Sequence, residues 1–157
     1  MQGKPEEVAV HNALLKARAA YRTPVGAGEL GDTGERVLGC DTLVALDGQI
    51  YGKPDDEEQA RATLRALSGA THTVLSGVAL LSAEREQVAL ARTQVEFRPY
   101  GEELIDWYVS GGEWRGRAGG YAIQGVGTVL VREIHGDYEN VVGLPVATLL
   151  DMCPELL

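Results

Sequence analysis

Two long β-rich runs, THTVLSGVALLS (71–82) and QVALARTQVEFRP (87–99), are separated by one short polar turn. Segments of this length, rich in Val, Leu and Thr and joined so tightly, have one simple solution, an antiparallel pair. The rest of the chain is read for the elements that accompany it. Pro5 followed by Glu6 and Glu7 marks a helix start, and Val8, Ala13, Leu14, Ala17 and Tyr21 fall on one apolar stripe. The Gly-, Pro- and Thr-rich segment 23–36 reads as a loop. VLGCDTLVAL (37–46) reads as a strand, Asp47-Gly48 as a hairpin turn, and QIYG as its short return. Lys53-Pro54 closes the hairpin. Asp55 and Glu58 suggest a capping box for the helix EEQARATLRAL, which Ser68-Gly69 ends. EELIDWYVSGG reads as a short amphipathic helix with a glycine stop. TVLVREI (128–134) and YENVV (138–142) are expected as strands around an HGD turn, and Gly143-Leu144-Pro145 opens a last helix. The order of elements, with antiparallel pairs inside, predicts a mixed α/β or α+β domain over residues 1–157.

Composition narrows the function classes. The 157 residues carry a formal charge of -9 at pH 7, with no lysine or arginine cluster, which argues against nucleic acid as a partner. A small anion remains compatible, given local basic residues and a divalent cation to offset the field. No apolar run is long enough to span a bilayer, and MQGKPEEVAV lacks an apolar signal region, so a cytoplasmic protein is expected. Cys40 and Cys153 have no metal-ligand spacing and read as reduced and structural. His11, His72 and His135 are scattered and read as structural or surface residues.

Candidate chemistry starts at Asp41. A carboxylate inside an apolar strand is costly unless it binds a metal, activates a water, pairs with a buried lysine or faces solvent at a sheet edge. Pro54 stiffens the turn that aims Lys53, which suits a phosphate-binding cation or a solvated turn lysine. RAGGYAIQGVG (117–127) is dense in glycine, so the backbone there approaches something closely or takes unusual angles. It matches neither the dinucleotide fingerprint nor a Walker loop. Arg115 and Arg117 beside it favour an anion, and Gln124 can donate and accept at once. Glu102, Glu103 and Asp106 read as a solvated helix face. Trp107, Tyr108 and Trp114 read as core or rim, with base stacking as the other option.

Together, GCDTLVAL, YGKPDDEEQARATLRALSG, RAGGYAIQGVG and DYENVVGLP, in this order, resemble the Maf family of nucleotide pyrophosphatases across nearly the whole chain. The resemblance implies a two-lobed α/β fold similar to inosine triphosphate pyrophosphatases. It also implies hydrolysis of nucleoside triphosphates to monophosphate and pyrophosphate with a divalent cation (Mg, Mn or Co), and a homodimer among its assemblies. Carried over by residue, Asp41 is general base or metal ligand and Lys53 binds phosphate. Lys16 lines the cleft from the first helix, Arg117 supplies a cation where many members have lysine, and Gln124 with Gly125 contacts the nucleotide. The IQG form resembles the branch acting on dTTP and UTP, whereas the branch acting on 7-methyl-GTP carries SEG. The family's initial strand and S-x-S-P-R-R loop have no counterpart in the sequence. The expectation is therefore an N-terminally truncated domain, or a natural short form, with an exposed sheet edge, less stable and weakly active or inactive. The alternative to turnover is a nucleotide-binding regulator of septum formation, or an inactive fragment.

Overall fold

The computed structural model describes residues 3–22 and 36–157. The sheet has the order β2-β1-β3-β4-β5 and is antiparallel throughout. Its strands are β1 (Val37–Leu46), β2 (Gln49–Tyr51), β3 (Thr71–Leu81), β4 (Glu86–Phe97) and β5 (Val131–His135). The helices are α1 (Pro5–Arg22), α2 (Glu57–Leu67), α3 (Glu102–Ser110), α4 (Tyr138–Val142) and α5 (Val146–Met152). The expected β3–β4 pair is present, running in register from Thr71 opposite Glu96 to Leu81 opposite Glu86. Asp47 and Gly48, at φ 51° and 80°, form the tight turn between β1 and β2. Most of the 23–36 loop lies outside the described residues.

Alternation along the strands assigns each face a different partner. On one face, α1 lays Val8, Ala9, Ala13 and Ala17 against Leu43, Ala45, Leu75, Ala79 and Leu81. The helix comes unusually near because β1 and β3 present Gly39 and Gly77, neighbouring positions on adjacent strands. A Cβ at Gly39 would collide with the Ala13 carbonyl, and one at Gly77 with the Ala9 carbonyl. On the other face lies the larger core, in which Val44, Val74, Val95 and Phe97 pack with Leu64, Leu67, Ile105, Tyr108, Trp114, Tyr121 and Leu130. Helices α2 and α3 are joined at the surface by Arg61–Asp106 and Arg65–Glu102 ion pairs, so Glu102 and Asp106 sit on a solvated face as read.

Three local expectations are corrected. The α2 cap is one residue later: Asp56 accepts the Gln59 amide at 2.8 Å, and the Gln59 side chain reaches back to the Asp55 N–H. Residues 126–130 form a 3-10 turn, so the strand expected from Thr128 begins at Val131. YENVV is helix α4. Its β-prone residues are overruled by Asp137, which caps the Glu139 amide, and by Asn140, whose buried amide donates to the Val74 carbonyl and the Thr93 hydroxyl.

Candidate active site

Among the described residues, β1 pairs with β2 only from Val44 to Leu46, so Val37–Leu43 have one ladder neighbour, β3. A cleft opens along that free edge and draws on both faces of the sheet. From the α1 face comes Asp41. Its Oδ1 pairs with Lys16 Nζ at 2.5 Å, and its Oδ2 accepts the Asn12 amide at 2.9 Å. Asn12 and Lys16 are four apart on α1 and so share a helix face. The Asp41 side chain is 14% exposed, and Lys16 also donates to the Cys40 carbonyl at 3.2 Å. Asp41 does pair with a lysine, but Lys16 is 55% exposed rather than buried, and the pair lines the cleft.

From the opposite face, the Cys40 thiol and the Thr42 hydroxyl both donate to the Gly143 carbonyl, at 3.2 and 3.3 Å. Burial is the main influence that raises the Cys40 pKa. Thr42 and Ser76 hydroxyls lie 2.7 Å apart, and Ser76 reaches the Asn140 carbonyl. This polar seam docks α4 and its following turn beside the strand that carries Asp41. Val141, Val142 and Gly143 thereby become one side of the cleft.

Lys53 enters after β2, with the buried Pro54 behind it. The Gly52 carbonyl next to it accepts the Gly119 amide at 3.1 Å, so hairpin and glycine loop are tied. Arg117, Ala118, Tyr121, Ala122 and Gln124 line the far wall, with Arg117 and Gln124 exposed. Lys16, Asp41, Lys53, Arg117 and Gln124 thus meet in one cleft. Gly125 is not among its lining residues, because it packs instead on the Glu113 carboxylate.

The dense glycines turn toward the protein itself. A Cβ at Gly125 would strike Glu113, and one at Gly127 would lie 2.6 Å from the Ala122 carbonyl. Glu113 accepts the amides of Val126 and Gly127 at 2.9 and 2.8 Å and the Tyr108 hydroxyl at 2.8 Å. Burial would raise this carboxyl, but those hydrogen bonds outweigh it and hold it below its usual range. His72 Nε2 and the Tyr121 hydroxyl share a hydrogen bond of 2.8 Å in the core, and burial lowers the His72 pKa to about 4. Trp114 and Tyr108 are buried, as the core reading had it, and Trp107 is exposed.

Sequence reading missed Asn12, Thr42, Tyr121, Glu113 and the Val141–Gly143 side of the cleft. Asn12 had a usable signal, its four-residue spacing from Lys16. Glu113 had none, since its partners lie beyond local periodicity.

No group of three or more His, Cys, Asp or Glu side chains among the described residues forms a ready metal cage. Among the described residues that line the cleft, Asp41 is the one carboxylate, so it is the side chain that would hold a cation there. No helix among the described residues is long and apolar enough to cross a membrane.

The cleft thus sets a strand carboxylate, held from α1, across from a loop that carries Arg117. Residues 1–156 match the Maf-like protein family, and the chain belongs to that family. A dTTP/UTP pyrophosphatase of Pyrococcus furiosus is 46% identical over 149 residues, which cover 94% of this chain and 74% of that protein. One of Symbiobacterium thermophilum is 45% identical over 149 residues, covering 94% and 72%. One of Dictyoglomus thermophilum is 41% identical over 150 residues, covering 92% and 72%.

Proposed function

We propose that this chain hydrolyses nucleoside triphosphates, dTTP and UTP foremost, to the monophosphate and pyrophosphate, with residues 1–157 acting as one domain. The observation that carries this reading is the convergence of Lys16, Asp41, Lys53, Arg117 and Gln124 on one cleft. The names of the relatives support the choice of nucleotides. In the mechanism, the triphosphate lies along the cleft with its phosphates toward Lys53 and Arg117. Asp41, oriented by Asn12 and Lys16, takes the proton from a water that attacks the α phosphorus in line. The bond to the bridging oxygen breaks, and pyrophosphate leaves with its charge met by Lys53, Lys16 and Arg117. Gln124 holds the nucleotide from the loop wall. A magnesium, manganese or cobalt ion on Asp41 would neutralise phosphate charge. The protein is read as cytoplasmic and without a nucleic-acid partner, with a homodimer as one assembly open to it.

The test is pyrophosphate release from dTTP, UTP, CTP and ATP with magnesium or manganese. Release from dTTP and UTP that Asp41→Asn eliminates is expected. Binding of UTP with no release would replace the enzyme by a nucleotide-binding regulator.

A further inference from the structure

Gln124 sits at the tip of a loop whose two shoulders are both held by one side-chain pair. Two residues before it, the Ala122 N–H donates to the Tyr108 hydroxyl oxygen at 3.3 Å. Two and three residues after it, the Val126 and Gly127 N–H groups donate to the two Glu113 oxygens. Tyr108 then donates its own proton to Glu113 at 2.8 Å, closing the bracket. Neither member lines the cleft. Both are fixed from below: Tyr108 is 2% exposed in the core, and Trp114, next to Glu113, anchors its turn through Nε1 to the Val109 carbonyl at 3.0 Å. The loop is cut to fit them, since a side chain at Gly125 would displace the carboxylate and one at Gly127 would crowd the Tyr108 hydroxyl.

We propose that Glu113, with Tyr108 as its partner, is a positioning residue for Gln124: it sets the loop tip at the height from which Gln124 meets the nucleotide. The proposal rests on the nucleotide-hydrolysing reading of the cleft. A carboxylate suits this role because only an acceptor-only group with two oxygens takes two neighbouring amides and a hydroxyl together. Glutamine at 113 would turn an N–H₂ toward one of those amides, leaving a donor facing a donor.

The test compares the parent chain, Glu113→Gln, Gln124→Ala and the double variant. Tyr108→Phe serves as a second probe that keeps the buried ring. Glu113→Gln is expected to lower kcat/KM for UTP about tenfold, the scale of one broken charge-assisted bond. In the Gln124→Ala background the same change is expected to cost less than about twofold, because the residue it positions is gone. Effects that multiply, or a Glu113→Gln variant within twofold of the parent, overturn the proposal. Amide exchange at Val126 and Gly127 needs no substrate, and in Glu113→Gln it should quicken roughly tenfold while β3 amides stay unchanged. If the parent neither binds nor hydrolyses UTP, the pyrophosphatase reading fails by itself. Quickened exchange then still upholds the bracket, and unchanged exchange overturns it.

Discussion

The two walls of the cleft are held by opposite means. The α1 wall fixes a side chain: Asp41 is gripped by Asn12 and Lys16, and the grip is as good as the seating of α1 on Gly39 and Gly77. The loop wall fixes a backbone: amides around Gln124 are gripped by Glu113 and Tyr108, while the Gln124 side chain stands exposed in the cleft. The difference suits the role proposed for each wall. A group that takes a proton must be oriented within a hydrogen-bond length. A group that meets a nucleotide must be carried to the right place yet stay free to donate and accept.

The largest expected effect tests whether the α1 wall holds the chemistry. Asp41→Asn should lower kcat on the order of 10³-fold, in line with removal of a general base, with circular dichroism unchanged. Turnover that survives would move the chemistry to the loop wall. Next, Gly77→Ala should destabilise the chain by about 3 kcal/mol in urea unfolding, because the new methyl meets the Ala9 carbonyl. If the walls are independently held, this variant should keep the amide protection of Val126 and Gly127.

The third prediction concerns pH and sharpens the loop wall, since Tyr121 hangs on His72. Folded His72 takes its proton near pH 4, against an ordinary value of 6.5. Between these values the unfolded chain binds more protons, so stability is full above the unfolded value and falls as pH falls. From pH 7 to pH 5 the loss should be about 2 kcal/mol, read as a shift in urea midpoint, and His72→Gln should flatten it. The smallest expected effect is on substrate binding: Lys53→Ala should reduce kcat/KM roughly tenfold, mostly through KM, with stability untouched. An effect on kcat as well would show that Lys53 also meets the charge of the leaving pyrophosphate, as proposed, and no effect on either would remove it from the phosphate site.

Much of the first wall was legible in the sequence. The α1 stripe, the hairpin at Asp47-Gly48 and the β3–β4 pair follow from local periodicity and turn chemistry, and Asp41 and Lys53 line one cleft. Helix α4 was misread because Tyr and the two Val residues favour strands locally, while Asn140 gains its hydrogen bonds only from a sheet already folded. Gly125 shows the same limit. Glycine density shows that something comes close, and only tertiary structure shows that it is Glu113.

The seating of α1 has a consequence for how such a chain tolerates change. Ala9, Ala13, Ala17, Gly39 and Gly77 are buried or closely packed, and none of them lines the cleft. Their smallness nonetheless sets the lateral gauge between Lys16 and Asp41. A saturation scan selected for turnover should therefore show two intolerant maps that do not overlap: charges at the cleft, and a strip of the smallest residues behind it. The second map would expose no chemistry, yet it would mark the bearing surface on which the chemistry is aligned.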